Sequence, residues 1–215
     1  MPYSPDLDRL LQVGAEYLDD HLRYALEAHR LDDVVLPTGR VVGCDPLTCG
    51  GDFEAFTVGV PAGRYRLQAW VAVVSRDGAE HDRRVAALQL IIRDEPVTYW
   101  RPALVGDQDP SALIAPSEFF GYGVDAGTGT LADPVALRAL WSWDFERVED
   151  VYIPAALPAS PVPGAVAAVT DEATGANVVV VTSGWGDGVY PTFIGYTTTG
   201  DVASFVSDFM VVPAD

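Results

Sequence analysis

The sequence has no lysine; all 13 basic residues are arginine. Schiff-base chemistry and the phosphate-binding lysine of a P-loop are therefore excluded. Arg83-Arg84 is the only adjacent basic pair. Phosphate contacts need clustered basic side chains, so nucleic acid is not an expected partner. Histidine is scarce, with 3 residues in 215. None falls in a glycine-rich motif, and there is no Gly-x-Ser-x-Gly elbow. Spacing alone does not speak against a Ser-His-Asp triad assembled from distant segments. The 2 cysteines, Cys44 and Cys49, stand in a Cys-x4-Cys spacing without a second ligand pair, which argues against structural zinc. Cys44 has an acid beside it, Asp45, but no neighbouring base, so a buried thiol fits better than a nucleophile. No apolar run approaches the ~20 residues of a membrane span. The segment Met1-Pro2-Tyr3-Ser4-Pro5-Asp6 has no basic region followed by an apolar stretch. The cytoplasm is the expected compartment, with both thiols free.

What is present is acid and apolar surface. The net charge is −18, yet 49% of residues are hydrophobic and only 20% charged. That balance argues against disorder and for one domain spanning residues 1–215. The charge favours solubility, and it suits a basic protein partner. The 20 glycines and 16 prolines lie mostly at the joins between apolar runs, as many short strands require.

Ser4-Pro5-Asp6 reads as a helix start, and Leu7, Leu10, Leu11, Leu18, Leu22 and Ala25 follow at helical spacing. This predicts a helix over residues 5–29, bent or split at Gly14, with His21 and His29 packed on or beside its stripe. A β-rich body is expected over 36–213. Tyr65, Leu67, Ala69, Val71 and Val73 alternate with Arg66, Gln68 and Trp70, a strand period. Arg76-Asp77-Gly78 is turn chemistry, with the return strand at Val85–Ile92 and His81 solvated nearby. Val97–Leu104 is a further strand candidate. Asp133-Pro134 starts a short helix near 134–143, with Leu137, Leu140 and Trp141 on one face. Residues 144–163 read as a surface loop. Thr174-Gly175 marks a hairpin, and the four consecutive valines from Val178 to Val181 suggest a strand buried on both faces. A last pair, 192–197 and 202–212, turns at Thr199-Gly200-Asp201. The expected fold class is α+β: an N-terminal helix packed on a mainly antiparallel twisted sheet or sandwich, with one short additional helix.

Three acids stand out. Asp187 lies between Gly186 and Gly188 in the bend Ser183-Gly184-Trp185-Gly186-Asp187-Gly188-Val189-Tyr190-Pro191. Either Asp187 faces a cleft walled by Trp185 and Tyr190, or this is a tight turn whose Asp bonds its own backbone. Asp125 opens a second acid-glycine turn, Asp125-Ala126-Gly127-Thr128-Gly129, after the aromatic segment that begins at Glu118. It lacks the Gly-x-Gly-x-x-Gly spacing of a dinucleotide loop. Asp208 lies in a strand apolar on both faces, where an ionised carboxylate must be paired or richly hydrogen-bonded. A convergence of Asp125, Asp187 and Asp208 would make them catalytic acid-base groups or ligands of a divalent cation, with Trp185, Tyr190, Glu118 and Thr128 holding a small-molecule ligand. No other cofactor is expected.

Several motifs, in order, resemble the signature of a bacterial family of unknown function, DUF4241. They are Leu36-Pro37-Thr38-Gly39-Arg40-Val41-Val42-Gly43-Cys44-Asp45-Pro46, Val60-Pro61-Ala62-Gly63-Arg64-Tyr65, Phe119-Phe120-Gly121 with 125–129, and the 183–191 bend with Asp208-Phe209. The resemblance implies neither an activity nor catalytic residues; some members of the family stand among toxin-immunity proteins. Two functions follow as expectations. One is an acidic binding module, of immunity type, engaging a basic protein. The other is a metal-assisted hydrolase or small-ligand enzyme built on the three aspartates.

Overall fold

Alternation, not helical spacing, governs the chain from residue 16 onward. The computed structural model describes residues 2–19, 21–51, 53–154 and 160–213. Its strands are β1 (Glu16–Asp19), β2 (Leu22–Arg30), β3 (Val34–Leu36), β4 (Val42–Cys44), β5 (Gly63–Arg76), β6 (Ala79–Ile91), β7 (Tyr99–Pro102), β8 (Gly121–Val124), β9 (Thr128–Ala132), β10 (Val166–Asp171), β11 (Ala176–Thr182), β12 (Gly188–Tyr196) and β13 (Val202–Asp208). Among the described residues the α-helices are α1 (Leu7–Leu10), α2 (Pro134–Trp141) and α3 (Phe145–Tyr152), all short.

The expected α+β fold with a helix over 5–29 is therefore corrected: the protein is predominantly β, in two sheets. The helix stops after one turn. Asp6, not Ser4, caps it by accepting from the Arg9 amide at 3.0 Å, and Gly14 turns the chain with φ +78°. β1 and β2 then pair antiparallel, Tyr17 opposite Tyr24. The buried residues Tyr17, Tyr24 and Leu26 have strand parity, whereas Leu18, part of the helical pattern, points to solvent. Pairing of β2 with β5 from Arg23↔Ser75 to Arg30↔Gln68 satisfies the backbone and packs the segment on the core, whereas a helix without such packing is marginal. His21 is exposed, and His29 meets the Glu27 carboxylate at 2.9 Å.

The large sheet has nine strands. Its order is β1-β2-β5-β6-β13-β12-β7, with β3 also pairing β5 and β8 pairing β12. The smaller sheet runs β10-β11-β9-β4. Every pairing is antiparallel. β5 and β6 form a long hairpin closed by Asp77 and Gly78, both at positive φ, the two-residue turn whose twist matches the strands.

β11 is the middle of three layers. Val179 and Val181 join the core shared with Leu67, Leu88 and Phe205 of the large sheet. Ala176, Val178 and Val180 face Leu137 and Leu140 of α2 and Tyr152 of α3. The four-valine run is buried on both faces because each face has its own apolar cover. α2 starts where expected: Asp133 accepts from the Val135 amide at 2.9 Å, with Pro134 in the first turn. Trp141, however, is exposed. α3 lies in the segment expected to be loop. Residues 155–159 of that segment lie outside the described residues.

Candidate functional site

The glycine-rich bend is held from below. Tyr190 is buried, its hydroxyl donates to the Gly186 carbonyl at 2.8 Å, and its ring meets Phe209 edge-on at 5.3 Å. Gly184 has φ +46°, and a Cβ there would stand 2.5 Å from the Phe209 carbonyl oxygen. Only glycine fits. Trp185 points the other way, 51% exposed, with the Arg84 guanidinium 4.9 Å from its ring centroid. The expected aromatic wall of Trp185 and Tyr190 is thus not assembled: one residue is the bend's support and the other its outer face.

The second acid-glycine turn abuts the first. The Ser183 amide donates to the Gly127 carbonyl at 2.9 Å, and Val124 pairs with Gly188. The exposed Asp125 and Asp187 are therefore brought to one rim. Asp208 is not. Its Oδ2 accepts from the Tyr3 hydroxyl at 2.8 Å and its Oδ1 from the Met210 amide at 2.8 Å. It lines a cavity of about 440 Å³ with Tyr3, Leu10 and Tyr17. Burial pushes its carboxyl up from the usual value, against the lowering pull of the Met210 amide and then the Tyr3 hydroxyl. Burial first, then the facing Asp208, likewise pushes the Tyr3 phenol up. Among the described residues, no group of three or more His, Cys, Asp or Glu side chains is placed to hold a metal ion. The tentative ligand set Asp125, Asp187 and Asp208 is thus not one site.

The remaining expected contacts are structural. Glu118 accepts from the Ile114 and Ala115 amides at 2.7 and 2.9 Å. The Ala115 amide foremost holds its carboxyl below the usual value. Thr128 donates at 2.5 Å to Asp45, which also accepts from the amides of Leu47, Asp125 and Ala126 at 3.1, 3.1 and 2.7 Å. Asp45, fully buried, is thus the clamp of the 125–128 turn. Asp133 does the same for the Leu36–Gly39 motif, accepting from the Thr38 amide and hydroxyl at 2.9 and 2.7 Å. Sequence reasoning noted both acids without these roles; their placement beside motif residues was the available signal.

Two features were not anticipated as sites. A cavity of about 400 Å³ lies between β4, β8 and the 53–56 segment, lined by Cys44, Cys49, Phe53, Phe56, Phe120 and Tyr122 among others. Burial pushes the Tyr122 phenol up from its usual value. The second feature is the outer surface of α3. Asp144, Glu146, Glu149 and Asp150 are exposed around Phe145, which is 74% exposed, and Ile153. The one cation of α3, Arg147, stacks over Trp143 at 3.7 Å from the ring centroid.

No helix among the described residues is long and apolar enough to cross a membrane. Neither the curated proteins nor the solved structures contain a match to the chain. One family model does match, over residues 34–207, so its span takes in all the glycine-rich motifs and both aspartate clamps, Asp45 and Asp133. With most of its length matched, the chain belongs to the family described as protein of unknown function (DUF4241).

Proposed function

We propose that this protein is an acidic binding module, of immunity type, which acts in the bacterial cytoplasm by engaging a basic protein. The observation that carries the reading is the surface of α3. Four carboxylates surround an exposed aromatic ring and an exposed isoleucine, while the only nearby cation of the helix is stacked on Trp143. An apolar anchor inside a ring of like charge suits a partner with arginine or lysine around a pocket. The net charge of −18 adds long-range steering toward such a partner. The alternative, a hydrolase or small-ligand enzyme built on Asp125, Asp187 and Asp208, has less support, because Asp208 is engaged with Tyr3 and Met210 away from the other two.

The test is affinity capture from the native host at about 0.05 M and about 0.5 M salt, where the screening length falls roughly threefold. The whole protein is compared with the variant Glu146→Gln, Glu149→Gln, Asp150→Asn. The reading expects a basic protein retained by the wild type at low salt, and depleted about tenfold both at high salt and with the variant. A partner held equally by the variant, or the absence of any basic partner, overturns it.

A further inference from the structure

The cavity beside the 125–128 turn carries both cysteines of the chain. Cys44 closes β4 and is buried; Cys49 is partly exposed. A single turn folds the second residue back over the first. The Cys49 amide donates to the Asp45 carbonyl at 2.9 Å, and the Leu47 amide to the Asp45 carboxylate at 3.1 Å. That carboxylate is fixed in turn by the amides of Asp125 and Ala126, so the base of the turn is anchored to the bend between β8 and β9. The turn sets both side chains on the wall of one cavity. Contact with Cys44 holds the Cys49 thiol below its usual range, and Trp141 acts in the same direction. The same contact, with burial, pushes the Cys44 thiol up. The partly exposed residue thus carries the thiol that is easier to ionise, and the buried one the thiol that is harder to ionise. Both open on a cavity large enough for a small oxidant.

We propose that Cys49 and Cys44 form a hydroperoxide-reactive dithiol site, with Cys49 as the attacking thiolate and Cys44 as the resolving thiol. In the first step the Cys49 sulfur attacks the peroxide. An S–O bond forms, the O–O bond breaks, and the departing oxygen takes up a proton to leave as water or an alcohol. Cys49 is oxidised to the sulfenic acid and the peroxide is reduced. In the second step the Cys44 sulfur attacks the Cys49 sulfur. The S–S bond forms, the S–O bond breaks, and the hydroxyl leaves as water with the Cys44 proton. Such transient disulfides are the form that intracellular redox sensing takes.

The experiment uses the whole, pre-reduced protein. It is treated with hydrogen peroxide, alkylated with iodoacetamide and cleaved after arginine, which leaves both cysteines in the single peptide 41–64. The proposal expects that peptide to lose two hydrogens and resist alkylation. It expects oxidation at pH 7 at least about tenfold faster than that of free glutathione, since a lowered thiol pKa raises the thiolate fraction. Cys44→Ala stops at a sulfenic acid on residue 49, trapped by dimedone, and Cys49→Ala reacts no faster than glutathione. A wild-type peptide with two free thiols after treatment, a disulfide only between molecules, or a rate no faster than glutathione overturns the proposal. The wild-type readings stand even if a variant fails to fold.

Discussion

Replacing Asp208 with asparagine tests whether this acid is a burdened structural group. Its side chain belongs to a residue 2% exposed, and its two oxygens meet one phenol and one backbone amide. Burial outweighs both donors, so the folded-state pKa lies above the unfolded one. The sign follows. As pH rises past about 3.9, Asp208 ionises in the unfolded chain while the folded protein keeps the proton. The unfolded state then binds fewer protons, and stability falls with pH at about 1.4 kcal/mol per pH unit until the folded carboxyl also ionises. Asparagine keeps the shape, offers an oxygen to the Met210 amide and an amide nitrogen to the Tyr3 oxygen, and does not titrate. Urea unfolding of both proteins from pH 4 upward should show Asp208→Asn gaining on the wild type with that slope and then levelling off. The repulsion from the net charge of −18 is nearly common to both proteins, so most of it cancels in the difference. Tyr3→Phe removes one donor. It should cost about 1.5–3 kcal/mol where Asp208 is ionised, and less in acid. A stability difference between wild type and Asp208→Asn that is flat in pH, or that favours the wild type as pH rises, refutes the reasoning.

Asp45→Ala strands four donors at once. Asp125 and Ala126 are exposed and their amides can recover water, but Leu47 and Thr128 are only partly exposed. The net loss should be about 3 kcal/mol, lowering Tm by about 6–12 °C in calorimetry; a shift under a third of that would mean the turn holds itself. Gly39 and Gly175 separate steric from conformational need. Both have positive φ, but a Cβ on Gly39 would meet the Val60 carbonyl oxygen at 2.0 Å, while one on Gly175 meets nothing within 4 Å. Gly39→Ala should cost about 3–5 kcal/mol and Gly175→Ala about 1–2 kcal/mol by urea unfolding. Equal costs would remove the steric argument.

The strands that read clearly from sequence were those with one unambiguous period or turn. Tyr65 to Val73 alternates, Asp77-Gly78 fits a two-residue hairpin, and Val178 to Val181 requires cover on both sides. The N-terminal segment misled because its leucines happen to fall at helical spacing, while the deciding partner, β5, lies 38 to 52 residues further on, from Arg30↔Gln68 to Arg23↔Ser75. α3 escaped notice because its apolar stripe, Val148, Val151 and Tyr152, is short and set among acids, and only Tyr152 is fully buried. The bends at 125–129 and 183–191 were legible as bends, since glycine with aspartate signals a turn locally. Their chemistry was not. Asp45 reaches the Asp125 amide across 80 positions and Tyr3 reaches Asp208 across 205, and no local pattern announces a hydrogen bond at that separation. The same holds for the two thiols. Their spacing was visible, but the turn that stacks them over one cavity depends on where the Asp45 carboxylate finds its donors.

The family match over residues 34–207 begins in the middle of a continuous structural ribbon. β2 runs along β5 to Arg30↔Gln68, the Leu31 amide then donates to the Leu67 carbonyl, and β3 resumes on the same path at Val34↔Tyr65. β2 and β3 therefore cover one edge of β5 together, while β6 covers the other. Residue 34, where the match starts, is a point on that ribbon and not a boundary of the fold. Without β2, the backbone of β5 from Gln68 to Ser75 would be an open apolar edge, which sheet proteins avoid. At the other end, Asp208 lies just past the match and is closed by Tyr3, from before it. The segment outside the match thus supplies both the edge strand of the large sheet and the donor that makes a buried acid tolerable. Leu7, Leu10, Tyr17, Tyr24 and Leu26, all before the matched span, are part of this protein's core.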